Sequence, residues 1–184
     1  MSIKDTREAR KKEEQLTKPA NRLELIDLML SQYFYVQIYP ATGLLIPLEH
    51  TVGAIALTSE QICPIPGISP ALLGVVNQRG SLLWVVELSD LLGLGQSPKS
   101  LSTYNLTLLV LTARGANGNI ESEPQVGCVV SVLKEIVFLN PEQFKPVPAD
   151  SPIRSFLSGV AEIEQSLVSV LNVNAVFTAL SVSC

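Results

Sequence analysis

From Tyr33 onward the chain alternates apolar and polar positions with period two. Phe34, Val36 and Ile38 alternate with Tyr35 and Gln37, Pro40-Ala41-Thr42-Gly43 supplies a turn, and residues 44–48 resume an apolar run, which predicts a β-hairpin. Residues 52–57 extend or follow it. Residues 63–70 carry Pro64, Pro66, Gly67 and Pro70, and proline cannot donate a ladder hydrogen bond, so a loop is predicted there. Residues 73–77 and 81–88 are apolar runs around Gln78-Arg79-Gly80, a reversal with glycine available for positive φ, and predict a second hairpin. One helical turn over 88–93 and a Gly/Ser/Pro-rich linker over 93–102 follow. Residues 106–112 and 126–133 read as strands joined by a long loop with Gly115 and Asn117-Gly118 at its tip. Residues 134–139 add a strand, and 140–152 contain Pro141, Pro146, Pro148 and Pro152, too many for regular structure. A last strand pair, 157–163 and 167–171, flanks Glu164-Gln165-Ser166, and residues 172–180 close the pattern as a helix. Around nine short strands with frequent turns indicate an all-β barrel or sandwich.

The segment ahead of Tyr33 follows a different rule. Residues 1–22 are charged and are expected to be disordered, whereas Leu23, Leu25, Ile26, Leu28, Met29 and Leu30 predict a short helix over 22–32. The division expected is a leader with a short helix, 1–32, and a folded domain, 33–184.

Composition narrows the class. With 184 residues, 47% of them hydrophobic and 16% charged, the chain can bury one good core or two small lobes sharing an interface, and a disordered chain is excluded. So little polar surface invites partners. A net charge of -4 and a pI near 5.0 argue against general nucleic-acid binding, which needs a clustered excess of Lys and Arg. The opening segment lacks the apolar stretch of a signal peptide, and the longest apolar runs fall short of the roughly 20 residues that span a membrane, so neither export nor membrane insertion is expected. Cys63, Cys128 and Cys184, odd in number and widely spaced, fit reduced thiols and a cytoplasmic location.

Catalytic chemistry finds little support. His50 is the one histidine, beside Glu49 at a strand end, and is read as a satisfied or exposed surface group rather than a catalytic base. There is no Cys-x-x-Cys, Walker A loop, nucleophile elbow or spaced Gly-x-Gly-x-x-Gly. Glu87 with Asp90, and Glu121 with Glu123, are read as solvated charge. Cys128, within an apolar run, is expected as a small buried hydrophobe. No catalytic, metal or cofactor-binding residue is expected; a Cys-dependent enzyme built on Cys63 is the enzymatic alternative.

One stretch is more specific: Ile62-Cys63-Pro64-Ile65-Pro66, then Leu73-Gly74-Val75-Val76-Asn77-Gln78-Arg79-Gly80, then Leu83-Trp84-Val85-Val86-Glu87-Leu88. It resembles the CheW-like family of chemotaxis coupling domains, in which a proline-bearing approach leads into Gly-Val-hydrophobic-Asn-Leu-Arg-Gly and then Pro-Val-hydrophobic-Asp-Leu. The likeness extends to Leu44-Leu45-Ile46-Pro47-Leu48, Val52-Gly53-Ala54-Ile55, Val126-Gly127-Cys128-Val129-Val130-Ser131, Leu157-Ser158-Gly159-Val160 and residues 167–172. Gln78, Trp84, Ser131 and Asn172 depart from the usual Leu, Pro and acidic residues, and Ala54 takes the place of the glutamate in Val-x-Glu-Ile.

The resemblance implies two five-stranded, SH3-like barrels side by side, with the C-terminal segment returning to the first. It also implies non-enzymatic adaptor work, one surface binding the cytoplasmic tip of a chemoreceptor and another the regulatory domain of a CheA-type histidine kinase. The implied partner-binding residues are Arg79, Asn77, Val52 and Ala54, with Arg79 the preferred contact and Asn77 inclined to bracing its own turn. An adaptor of a type IV pilus, twitching or phototaxis pathway is the alternative within the class, for which Ala54 and the leader speak.

Overall fold

The computed structural model describes residues 29–95, 105–113 and 123–182. Among the described residues, ten strands form two five-stranded sheets. The chain opens with β1 (Ser31–Ile38) and β2 (Thr42–Pro47), an antiparallel hairpin, and leaves the first sheet through a 3-10 turn at Leu48–His50. It then completes the whole second sheet with β3 (Thr51–Thr58), β4 (Leu72–Gln78), β5 (Ser81–Glu87), β6 (Asn105–Thr112) and β7 (Gln125–Val130). At Ser131, whose N–H donates to the Gln37 carbonyl at 2.8 Å, it crosses back and adds β8 (Val132–Leu139), β9 (Leu157–Ile163) and β10 (Ser166–Leu171) to the first. Among the described residues, helix α1 (Leu88–Leu91) follows β5 and helix α2 (Val173–Val182) follows β10.

Two expectations change here. The strand expected through Leu133 is cut at Ser131, where the chain changes sheets. Ser31 and Gln32 belong to β1, so the lead-in helix does not reach them; residues 22–28 of that expectation, and the loop tip at Gly115 and Asn117-Gly118, lie outside the described residues.

Strand order is β8-β1-β2-β10-β9 in the first sheet and β3-β6-β7-β5-β4 in the second. Side chains from all five strands of each sheet, including both edge strands, meet in one cluster, so each sheet curls around its own core as a small barrel. In the first, Tyr33, Leu45, Val137, Ala161 and Val168 meet; in the second, Leu57, Val76, Leu83, Leu108 and Val129. A third and larger core lies between the sheets, with Val36, Leu44, Val86, Leu109, Leu111, Cys128 and Val176. Strands buried on both faces lose their alternation: Leu106, Leu108 and Val110 of β6 fill the barrel while Leu109 and Leu111 fill the shared core. Each such aliphatic side chain contributes about 1.5–3 kcal/mol by leaving water.

The two sheets repeat one another, β8, β9, β10, β1 and β2 standing where β3, β4, β5, β6 and β7 stand, with the parallel pair β2/β10 matching β7/β5. The equivalence reaches single bonds. Cys63 exchanges two backbone hydrogen bonds with Val75 at 2.8 and 3.0 Å, and Lys145 does the same with Val160 at 2.8 and 3.0 Å. Glu87 N–H donates to Ala71 O at 2.8 Å, as Asn172 N–H does to Phe156 O at 2.8 Å. The repeat is also written in the residues, Glu60-Gln61-Ile62-Cys63-Pro64-Ile65-Pro66 against Glu142-Gln143-Phe144-Lys145-Pro146-Val147-Pro148, each followed by Ser-Pro, Gly-Val and Ser-Leu.

Candidate partner-binding surfaces

The hairpin between β4 and β5 turns in two residues, Arg79 at φ 53° and Gly80 at φ 90°. Positive φ at both central positions matches the twist of the flanking strands and favours Asn-Gly, so arginine is a costly occupant of the first position. The turn is braced from within: the Asn77 side-chain oxygen accepts from Gly80 N–H at 2.8 Å. Arg79 itself is exposed, and its guanidinium makes no hydrogen bond or ion pair with another described residue.

Val52 and Ala54 lie on β3, at the opposite end of the strand order from β4. Ile55 and Leu57 point into the barrel, which turns Val52, Ala54 and Ala56 outward, Val52 being 47% exposed. The four candidates thus form two groups on one sheet, and no hydrogen bond between described residues joins them. Reading the sequence missed a neighbour of the first group. Leu82, paired with Asn77 one rung below the turn, is 74% exposed, the most of any large apolar side chain among the described residues. Leu167 on β10 follows at 62%. Both begin runs that look continuously apolar; the cue was a Ser-Leu step directly after a two-residue turn.

In the tautomer protonated at Nδ1, His50 donates to the Thr112 carbonyl at 3.1 Å, tying the first crossover to the end of β6. Glu87 is only 3% exposed, correcting its reading as solvated charge: the carboxylate accepts from Ser89 Oγ at 2.8 Å where β5 enters α1. Cys128 is fully buried, and desolvation, with the Glu87 charge adding to it, pushes its thiol up to about 12. Cys63 is exposed, its backbone locked against Val75. Lys145 meets Glu162 at 2.8 Å and holds that carboxyl below the usual range by hydrogen bond and charge. Among the described residues no group of three or more His, Cys, Asp or Glu could hold a metal ion, and no helix is long and apolar enough to cross a membrane.

Residues 32–181 match the CheW-like domain family. A chemotaxis protein CheW of Rhizobium meliloti (strain 1021) is 27% identical over 116 residues, covering 62% of this chain and 68% of its own length. The crystal structure of the scaffolding protein TtCheW from Thermoanaerobacter tengcongensis superposes with a TM-score of 0.63 at 16% identity, over 78% of this chain and 85% of the other, a likeness of fold. With the match running from β1 through α2, the chain belongs to the CheW-like domain family.

Proposed function

We propose that this protein is a non-enzymatic chemotaxis adaptor that couples the cytoplasmic tip of a chemoreceptor to the regulatory domain of a CheA-type histidine kinase. The family match over residues 32–181 supports the class. The observation that supports a contact at the β4–β5 hairpin is Arg79: a long cation in a backbone conformation that favours Asn or Gly, exposed and without a partner among the described residues. Such a guanidinium is available to carboxylates or helix-end carbonyls of a partner. Val52 and Ala54 offer a small apolar surface on β3 that suits the side of a receptor helix. The work asked of the protein is a coupling free energy between two partners, typically about 1–3 kcal/mol, and no bond need be made or broken.

Titration of the purified chain against a chemoreceptor cytoplasmic fragment and, separately, against a kinase regulatory domain tests this reading. Binding to both, with receptor changing kinase output only when the chain is present, is expected. Binding to neither overturns it. Binding to the kinase domain of a pilus pathway in place of a flagellar one moves the protein to the alternative pathway, where the methyl of Ala54 replaces a family carboxylate.

A further inference from the structure

Two cavities on the first barrel, of about 550 and 340 Å³, share Tyr33, Pro47 and Glu49 and so run together as one groove. Its floor is aromatic: Tyr33 takes the Phe144 ring edge-on, with centroids 5.6 Å apart. Pro47, Pro141 and Pro146 stand along it. The Asn172 side-chain oxygen accepts from Ala175 N–H at 3.2 Å, so what this side chain offers the groove is its amide N–H groups. Lys145, the cation on the wall, is matched by Glu162 at 2.8 Å, which leaves Glu49 to set the sign of the groove. Burial raises the Tyr33 hydroxyl above its ordinary range, and the Glu49 charge adds to the rise against a lowering hydrogen bond with Ser31. The internal repeat supplies a control. Strand register sets Leu108, Val129, Ile62 and Glu87 in the second barrel where Tyr33, Pro47, Phe144 and Asn172 stand in the first. Three of those are aliphatic and the fourth is buried, so aromatic, proline and amide groups are not what closing such a barrel demands.

From this chemistry we propose that the first barrel binds a proline-rich segment of another protein, held as a polyproline II helix with a basic residue at the Glu49 end. A polyproline II segment makes no internal hydrogen bonds, so its carbonyls are open to the Asn172 amide, whereas an α-helix has already satisfied its own. Its rings pack on Tyr33 and Phe144, and because the segment is extended before it binds, little chain entropy is lost. The prolines of the wall are stiff for the same reason. At the other end a lysine or arginine meets the Glu49 carboxylate. His50, whose Nδ1 donates to the Thr112 carbonyl, presents Nε2 there as an acceptor in that tautomer. An acidic segment is opposed by the same carboxylate. None of Arg79, Asn77, Val52 and Ala54 lines the groove, so the inference does not rest on the adaptor reading.

A labelled peptide of repeated Ala-Pro-Pro ending in Arg, titrated with the full chain and followed by fluorescence anisotropy, tests the inference with neither receptor nor kinase present. Two control peptides replace the terminal Arg by Glu, or the Ala-Pro-Pro repeats by Gly-Ser. The Arg-ended proline peptide should bind about tenfold or more tighter than either control. Glu49→Lys, a change at an exposed position, should reverse the order of the Arg-ended and Glu-ended peptides. Phe144→Ser, checked for cooperative unfolding, should weaken both; should that variant not fold, the charge reversal still decides. Backbone amide NMR shifts should move at Tyr33, Phe144 and Asn172 and stay in place at the repeat equivalents Leu108, Ile62 and Glu87. A wild-type chain that binds no proline peptide, or binds the Gly-Ser peptide equally well, overturns the inference. So does an unchanged order of peptides with Glu49→Lys, or a shift map confined to the second barrel.

Discussion

Gly74 on β4 passes so close to the Cys63–Pro64 segment that a side-chain carbon built on it would fall against the Cys63 carbonyl and lie 2.9 Å from Cα of Pro64. Its φ of +141° is also one that side chains rarely adopt. The approach is what lets Cys63 exchange two backbone hydrogen bonds with Val75 and seal the barrel beside an edge strand. Gly74→Ala should therefore cost about 3 kcal/mol or more by denaturant unfolding. Gly159, the repeat equivalent, would meet Phe144 Cβ at 3.1 Å without the unfavourable φ, and Gly159→Ala should cost less. Gly53 has nothing within 4 Å, and Gly53→Ala should leave stability within about 0.5 kcal/mol. Equal effects at the three positions would remove close approach as the cause.

The hairpins were legible because their signals are local. Gly80 announces the β4–β5 reversal, and alternation over residues 33–38 announces β1. What pairing period cannot convey is partnership across the chain: nothing in residues 126–139 says that Ser131 marks a change of sheet, because β7 and β8 are both apolar and only their distant partners differ. Sheet assignment came from the family resemblance. Of the site, the brace by Asn77 was readable from an Asn ahead of a tight turn, whereas exposure of Leu82 was not, since β5 buries alternate residues in two different cores and its apolar run hides where cover ends. Glu87 failed for the opposite reason, a charge in sequence that the fold encloses with Ser89.

Ala54 stands outward on β3 where the family carries glutamate, so Ala54→Glu should leave unfolding free energy within about 0.5 kcal/mol. Where the new carboxylate meets a donor on the receptor, a charge-assisted hydrogen bond changes binding by about 1.5–3 kcal/mol. Calorimetric titration against the receptor fragment checks it. An unchanged dissociation constant places this position off the contact.

Cys128 links stability to pH. Its thiol is held at about 12 in the folded state against an ordinary value of 9.0, so the unfolded chain releases this proton first. Above pH 9 the unfolded state binds fewer protons than the native one, and stability falls as pH rises from about 9 toward 12, with a slope of at most about 1.4 kcal/mol per pH unit from this group. Below pH 9 the group contributes no slope. Cys128→Val should remove that part of the alkaline decline, seen as wild-type stability falling relative to the variant's as pH rises above about 9. Parallel series would show that the thiol is not desolvated. In the same protein Cys63 should react with a thiol reagent at once under native conditions, and Cys128 only on unfolding.

Arg79 separates fold from function most sharply, because its backbone and its side chain are predicted to respond in opposite directions. At φ 53° the turn favours asparagine, which tolerates the left-handed region, so Arg79→Asn should raise stability by about 1 kcal/mol. The Asn77 brace to Gly80 N–H does not involve the Arg79 side chain and should persist. If the guanidinium contacts a partner, the same substitution should cost about 1 kcal/mol or more of binding, and more if the contact is a hot spot. The paired measurement is denaturant unfolding of the free chain and titration against the receptor fragment and the kinase regulatory domain. Higher stability with weaker binding to at least one partner is the expected outcome. Lower stability with both affinities unchanged would mean that arginine is held at the tip by the hairpin itself, and the contact assignment would fall.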